Sequence, residues 1–185
     1  MAVAGAQHKL LVVYRGGKLY EPVGAEPSTH LLKPNHLSDD YPSSVINEYA
    51  ILRLAEKLEL GAPTVHRKYV PEPVYLIERF DRFKDEQGNT QRRHVIDACQ
   101  LLNKSRSFKN SSASLETLAA CIDKCRNRAS ARLRLYRWLM FNVLIGNDDN
   151  HLKNISFMVS AEGIEVSPPV RHAVHRGLPH DRFCR

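Results

Sequence analysis

The sequence predicts an α+β fold in two lobes, and three observations carry that expectation. Up to about residue 80 the pattern is strand-rich with one long helix. From His94 onward it is helical, with a single late hairpin. Between the apolar runs LYRWLMFNVLI and ISFM stands GNDDNHLKN, residues 146–154, a loop crowded with ionisable and amide groups. A chain of 185 residues is long enough to give such a two-lobed unit a real core.

The elements follow in order. HKLLVVY (8–14) and KLYEPV (18–23) flank Arg15-Gly-Gly17, a hairpin-type turn. THLLK (29–33) is a short strand, whose alternation puts Thr29, Leu31 and Lys33 on one side and His30 and Leu32 on the other. The polar segment 34–44 breaks the pattern. A helix follows over 45–60, with Ser43 or Ser44 as its N-cap and Gly61-Ala-Pro63 as its stop. TVHRKYV (64–70) and PVYLIERF (73–80) are strands, and 81–93 is an exposed turn or hairpin around Gln87-Gly88-Asn89. HVIDACQLLN (94–103) reads as a helix, 104–114 as a polar loop, and 115–127 and 130–145 as two more helices. NISFMV (154–159) and IEVS (164–167) close a hairpin through Ser160–Gly163. The lobes are expected to meet near residues 78–82, dividing the chain into 1–80, 81–169 and a basic tail at 170–185.

Composition excludes several classes. No apolar run reaches the ~20 residues of a membrane helix. The N-terminal stretch lacks a cationic region and a small-residue cleavage site, so a cytoplasmic location is expected. The four cysteines show neither a disulfide framework nor paired CxxC spacing, and read as plain thiols. The histidines, among them His30, His36, His66 and His94, lack metal-ligand spacing and read as solvated. The net charge is +7, and residues 170–185 supply +3 of it, four arginines against Asp181. A second basic cluster spans 123–137, with its charges on several faces of a helix, the pattern of a solvated surface.

Phosphoryl transfer needs a carboxylate to orient the attacking hydroxyl, an oxygen ligand for magnesium and a lysine on the nucleotide phosphates. Asp149-Asn-His-Leu-Lys-Asn154 has the D-x4-N spacing of a kinase catalytic loop, after an apolar helix and before a short hairpin. Upstream, Lys33 sits on a strand and Glu48 on the first long helix, the arrangement that holds a lysine amine at the α/β-phosphates. YLIERFDR (75–82) lies between the lobes, where an adenine could bond to the backbone.

Together with VAGAQHK (3–9), STHLLKP (28–34), NEYAILRLAEKLEL (47–60) and IDACQLLN (96–103), these landmarks resemble HipA-like serine/threonine kinases, the toxins of type II toxin–antitoxin modules. The resemblance covers about residues 2–169, and its GN-x-D-x-H-x-KN motif is specific. It implies a bilobal protein-kinase-like fold whose helical C-lobe is incomplete, and ATP and Mg2+ as cofactors. Asp149 would be the catalytic base and Asn154 the magnesium ligand, with Lys33 on the nucleotide phosphates and Glu48 as its partner. Glu78 and Phe80 would offer backbone groups to adenine, and Gly5-Ala6-Gln7 would form the phosphate-side loop. His151 would brace the catalytic loop, and Lys153 would help neutralise the phosphoryl group. The implied substrate is a protein serine, in known members that of an aminoacyl-tRNA synthetase. The implied partner is an antitoxin of the HipB type, with no direct contact to nucleic acid or membrane.

The sequence departs from that family at three places. The chain starts almost on the phosphate-side loop, where the family carries an earlier subdomain that helps bind the antitoxin. Ala2 stands where members often carry an autophosphorylated serine. After Val166-Ser-Pro-Pro169 the family continues with a Tyr-Asp magnesium ligand, whereas this chain continues with an Arg- and His-rich stretch, the pattern of a frameshift or truncation near Pro169. A catalytically impaired remnant of the kinase core is therefore one alternative. A basic nucleic-acid-binding module using 123–137 and the tail is another.

Overall fold

The computed structural model describes residues 8–38, 41–105, 114–147 and 150–168. The predicted sites Gly5, Ala6, Gln7 and Asp149, and the tail 170–185, lie outside the described residues.

Five antiparallel strands form the first layer: β1 (Leu10–Arg15), β2 (Lys18–Tyr20), β3 (His30–Pro34), β4 (Val65–Val70) and β5 (Glu72–Glu78), in the order β2-β1-β3-β5-β4. The tight β1–β2 connection uses Gly16 and Gly17, both at positive φ, which costs a glycine no side-chain clash. Helix α1 (Ser44–Lys57) packs on one face of the sheet. There Val45 and Leu52 meet Val65, Tyr75 and Ile77, with Leu31 and Tyr49 beside them. The opposite face gathers Val12, Leu32, Val74 and Leu76. Both faces of β5 are thus covered, which explains four consecutive buried residues from Val74 to Ile77. Burying each such side chain contributes roughly 1.5–3 kcal/mol.

Two expectations about this lobe need correction. Ser43 stands at the N-cap position of α1 but adopts left-handed backbone, φ 54°, and its side chain makes no capping bond. The cap comes instead from Asn35, whose Oδ1 accepts from Val45 N at 3.0 Å, while Ser44 Oγ accepts from His36 N. At the other end the chain turns at Glu59, φ 52°, two residues before Gly61. The second correction concerns His30, which is buried rather than solvated. It hydrogen-bonds Thr29 Oγ1 through Nδ1 and meets the rings of Tyr14 and His66. Burial lowers its pKa below the ordinary value.

The second core lies beyond a small hairpin, β6 (Arg82–Lys84) with β7 (Thr90–Arg92). Residues 94–103 are not one helix. β8 (His94–Asp97) pairs with β9 (Ser156–Ser160), and only α2 (Ala98–Leu101) is helical. Val95 and Ile96 are β-branched and find a strand partner, so tertiary pairing overrides the helical reading. Asp97 then caps α2 reciprocally with Gln100. α3 (Leu115–Asp123), α4 (Arg128–Leu144) and β10 (Gly163–Val166) complete the lobe, with sheet order β10-β9-β8. Cys99, Cys121, Cys125, Leu135, Trp138 and Phe157 lie at the centre of its core. Among the described residues, no helix is long and apolar enough to cross a membrane.

The two cores meet where α1 crosses the end of α4: Ile51 and Ala55 pack on Phe141, flanked by Leu60 and Ile145. Arg137 adds a polar tie, donating from Nη2 to Leu58 O at 2.8 Å.

Candidate active site

β3 is the central strand, and β-strand alternation puts Lys33 on the same face as Leu31, the face that α1 covers. Glu48, one turn into α1, is directed back at the sheet. Lys33 Nζ and Glu48 Oε2 form an ion pair, with both side chains mostly buried. Tyr75 completes the triad from β5, where it is the Cα partner of Lys33. Lys33 Nζ donates to Tyr75 Oη at 2.8 Å, and Tyr75 Oη donates to Glu48 Oε2. The Lys33 amine also lies 5.1 Å from the Tyr75 ring centroid. A buried ammonium needs such partners, since desolvation alone would drive it to neutrality. The sequence reading found Lys33 and Glu48 but missed Tyr75. Its signal lay in strand pairing, because Lys33 and Tyr75 oppose each other once β3 and β5 are aligned.

The segment between the lobes is held by ions. Arg79 forks onto Asp81, with Nε–Oδ1 at 2.9 Å and Nη2–Oδ2 at 2.7 Å, and also reaches Ser28 Oγ. Arg82 Nη1 shares Asp81 Oδ2 with Arg79, at 2.8 Å, and Arg82 Nε donates to Ser28 O. Burial alone would raise the Asp81 pKa, but the two guanidiniums outweigh it and hold the carboxyl below its ordinary range. This knot fixes the backbone of Glu78 and Phe80 just before it. The Glu78 side chain is exposed, while its N–H donates to Thr64 O at 2.9 Å.

Of the acid- and amide-rich loop, residues 146–147 and 150–154 are described. Gly146, at φ 66°, ends α4 in the left-handed conformation that suits glycine. Asn147 is tied twice to buried Asn142, by N–H to Asn142 O at 2.9 Å and by Nδ2 to Asn142 Oδ1. Asn142 in turn donates to Trp138 O. Asn147 belongs to the recognised motif, but its brace on α4 and the part played by Asn142 were not foreseen. His151 precedes a 3₁₀ turn, Leu152–Asn154, and its carbonyl accepts from Asn154 N at 2.9 Å. Asn154 therefore belongs to this turn and not to the strand predicted from residue 154. Its side chain is buried, Lys153 is half-buried near the Cys99 thiol, and Phe80 is half-buried.

A metal at this loop would need oxygen donors. The described loop offers the Asn154 amide, and Asn150 Oδ1 is buried without a hydrogen-bond partner among the described residues. An orphaned acceptor fits a site that expects a cation or its water. Among the described residues, no group of three or more His, Cys, Asp and Glu could hold a metal. A cavity of about 280 Å³ adjoins the loop at Asn154, lined also by Leu60, Arg134, Arg137, Trp138 and Val166. It lies behind the loop, towards the end of α1, and does not include Lys33 or Glu48.

Comparison with known proteins decides the family. The HipA-like C-terminal domain matches residues 1–169. The chain belongs to the HipA-like C-terminal domain family. A serine/threonine-protein kinase toxin HipA of Shewanella oneidensis is 34% identical over 185 residues, spanning 91% of this chain and 42% of that protein. A Sinorhizobium fredii relative is also 34% identical, over 174 residues, with 41% of its length covered. Among solved structures, HipA of Shewanella oneidensis MR-1, determined with HipB and its operator DNA, superposes with a TM-score of 0.79 and 32% identity, covering 94% of this chain and 43% of that one. The Helicobacter pylori proinflammatory kinase CtkA shares the fold, with a TM-score of 0.61 at 14% identity over 86% of this chain and 52% of its own. The bilobal kinase-like architecture is thus shared with both. The chain spans less than half the length of the curated relatives named above.

Proposed function

We propose that this chain carries the nucleotide-binding and catalytic-loop portion of an ATP-dependent protein serine/threonine kinase of the HipA type, the toxin of a toxin–antitoxin module. One observation carries the reading: the buried Lys33–Glu48–Tyr75 triad, in which a strand lysine is held by a helix glutamate inside the sheet. A structural ion pair so placed gains little over apolar packing, so its presence is best explained by use.

In this reading the Lys33 amine, steered by Glu48, neutralises the α/β-phosphates of ATP. The Glu78 carbonyl and the Phe80 amide meet adenine, and Gly5-Ala6-Gln7 covers the phosphates. Asp149 accepts the proton of a substrate serine as the new P–O bond forms and the bond from the γ-phosphorus to ADP breaks. Asn154 would hold Mg2+, with Asn150 Oδ1 as a further oxygen, and the ion would supply charge neutralisation on the phosphates. Lys153 adds positive charge beside them. An antitoxin of the HipB type is the proposed partner, and a serine of an aminoacyl-tRNA synthetase the proposed target.

A second reading is a core that binds nucleotide without transferring phosphate, favoured by the residues after Pro169, which read Val-Arg-His where the resemblance implies a Tyr-Asp magnesium ligand. Mg2+-ATP should raise the melting temperature under both readings. Transfer of label from γ-labelled ATP to protein, abolished by Asp149→Asn, supports the first reading; its absence in a chain that ATP stabilises supports the second. The nucleic-acid alternative loses support at the 123–137 cluster. Arg126 is paired to Glu162 and Glu165, and Arg134 and Arg137 donate to backbone carbonyls.

A further inference from the structure

The cavity of about 280 Å³ behind the candidate catalytic loop draws its lining from both lobes. Leu60 comes from the turn after α1, whereas Leu135, Trp138, Ile155 and Val166 belong to the second core. Those four are buried, so the floor is apolar. The rim is not. Arg134 and Arg137, one helical turn apart on α4, both line it. Each is held by one bond: Arg134 Nη1 donates to Val166 O at 3.1 Å, and Arg137 Nη2 to Leu58 O at 2.8 Å. A carbonyl orients a guanidinium but does not cancel its charge. Among the described residues, neither arginine forms an ion pair. Glu59, exposed at the same rim, pairs with neither.

We propose that this cavity is a ligand site separate from the nucleotide cleft, and that it takes a small amphipathic carboxylate. An aryl or short alkyl body would lie on the apolar floor, with its carboxylate at the two guanidiniums. Three observations point to that class. Two cations against one acid favour an anion, and guanidinium N–H pairs match the geometry of a carboxylate. The apolar floor beneath them asks for a body as well as a charge. The volume lies at the small end of ligand pockets, which suits a single ring and excludes a nucleotide. Lys33 and Glu48 are not among the lining residues, so the site is distinct from theirs. Arg137 stands on α4 while its acceptor is the C-cap carbonyl of α1, so an occupant touching Arg137 and Leu60 is held by both lobes at once. The proposal stands on this cavity and not on phosphate transfer.

Trp138 is the chain's single tryptophan, so its fluorescence reports the cavity directly. The probe is phenylbutyrate, titrated into the 185-residue chain. The expected result is a saturable change in Trp138 emission and a melting temperature that rises with probe concentration. Phenylbutyramide keeps the body and loses the charge, and should bind roughly tenfold more weakly. Equal binding of the two overturns recognition by the arginines, and so does the absence of any saturable change in emission. Arg134→Gln and Arg137→Gln should each bring phenylbutyrate down towards the affinity of the amide while leaving the amide itself unaffected, a split that a merely disordered cavity would not give. Should either variant fail to fold, photolabelling of the wild-type chain with a diazirine-bearing benzoate decides. Label on the peptides that carry Leu60, Trp138 or Val166 supports the site. Label confined to the strand of Lys33, or spread over the surface, overturns it.

Discussion

Lys33 on the central strand and Glu48 on α1 form a buried ion pair, and Tyr75 bonds to both partners. Lys33→Met leaves a buried carboxylate with one phenol for company, and Glu48→Met leaves a buried ammonium, so each should destabilise by about 3–5 kcal/mol. The double variant should be less destabilised than the sum of the singles, with a coupling of roughly 1–3 kcal/mol in a urea-denaturation cycle. Strict additivity would mean that the pair is not coupled in solution. Both singles should also lose the thermal shift given by Mg2+-ATP.

The Asn35 cap makes a second expectation. Asn35→Ala removes the acceptor for Val45 N–H and should lower stability by about 1 kcal/mol. Ser43→Ala should cost only a few tenths of that, because the Ser43 side chain makes no capping bond. Chemical denaturation of both variants checks the order, and a larger loss at Ser43 would return the cap to that serine.

Much of this was legible in the sequence, and the pattern of misses has a physical cause. Lys33, Glu48 and the motif around Asn154 could be placed because strand alternation and helix periodicity are local. What failed depended on distant chain. Val95 and Ile96 became a strand only because β9 lies beside them. Asn35 caps α1 across a loop, and Tyr75 joins the triad only through pairing of β3 with β5. His30 carries no local sign of burial, being buried by Tyr14 and His66 from two other strands.

Asp81 should set the acid limit of the inter-lobe segment. Its folded pKa lies below the ordinary 3.8, so the folded state binds fewer protons than the unfolded chain around that value. Its contribution is present above pH ~4 and is lost as pH falls through the depressed folded value. His30 acts in the same direction at higher pH. Its folded pKa is also lowered, so its contribution is complete above about 6.5 and declines as the pH drops below that. Urea midpoints measured from pH 7 to pH 3 should fall in both windows. Asp81→Asn should destabilise by about 2–4 kcal/mol at pH 7 and flatten the lower window, and His30→Phe should flatten the upper one. A profile unchanged by either substitution would remove these groups as the cause.

The thiols of Cys99, Cys121 and Cys125 share one core, and burial raises the pKa of each. For Cys121 the value is pushed up to about 11, with the neighbouring thiols adding to the effect of burial. Only the thiolate reacts readily, so all three should resist alkylation by iodoacetamide at pH 8 in the folded chain and react in denaturant. Mass spectrometry of tryptic peptides reads this directly. Because the folded Cys121 holds its proton more tightly, its contribution to stability is complete below pH 9 and is lost as pH rises from 9 through 11. Cys121→Ala would remove that loss but leave a hole in the core of this lobe, at roughly 1–2 kcal/mol. Cys121→Val fills more of the space, and should keep most of the stability while abolishing the alkaline dependence. Rapid native labelling of Cys121 at pH 8 would show instead that the core of this lobe opens readily.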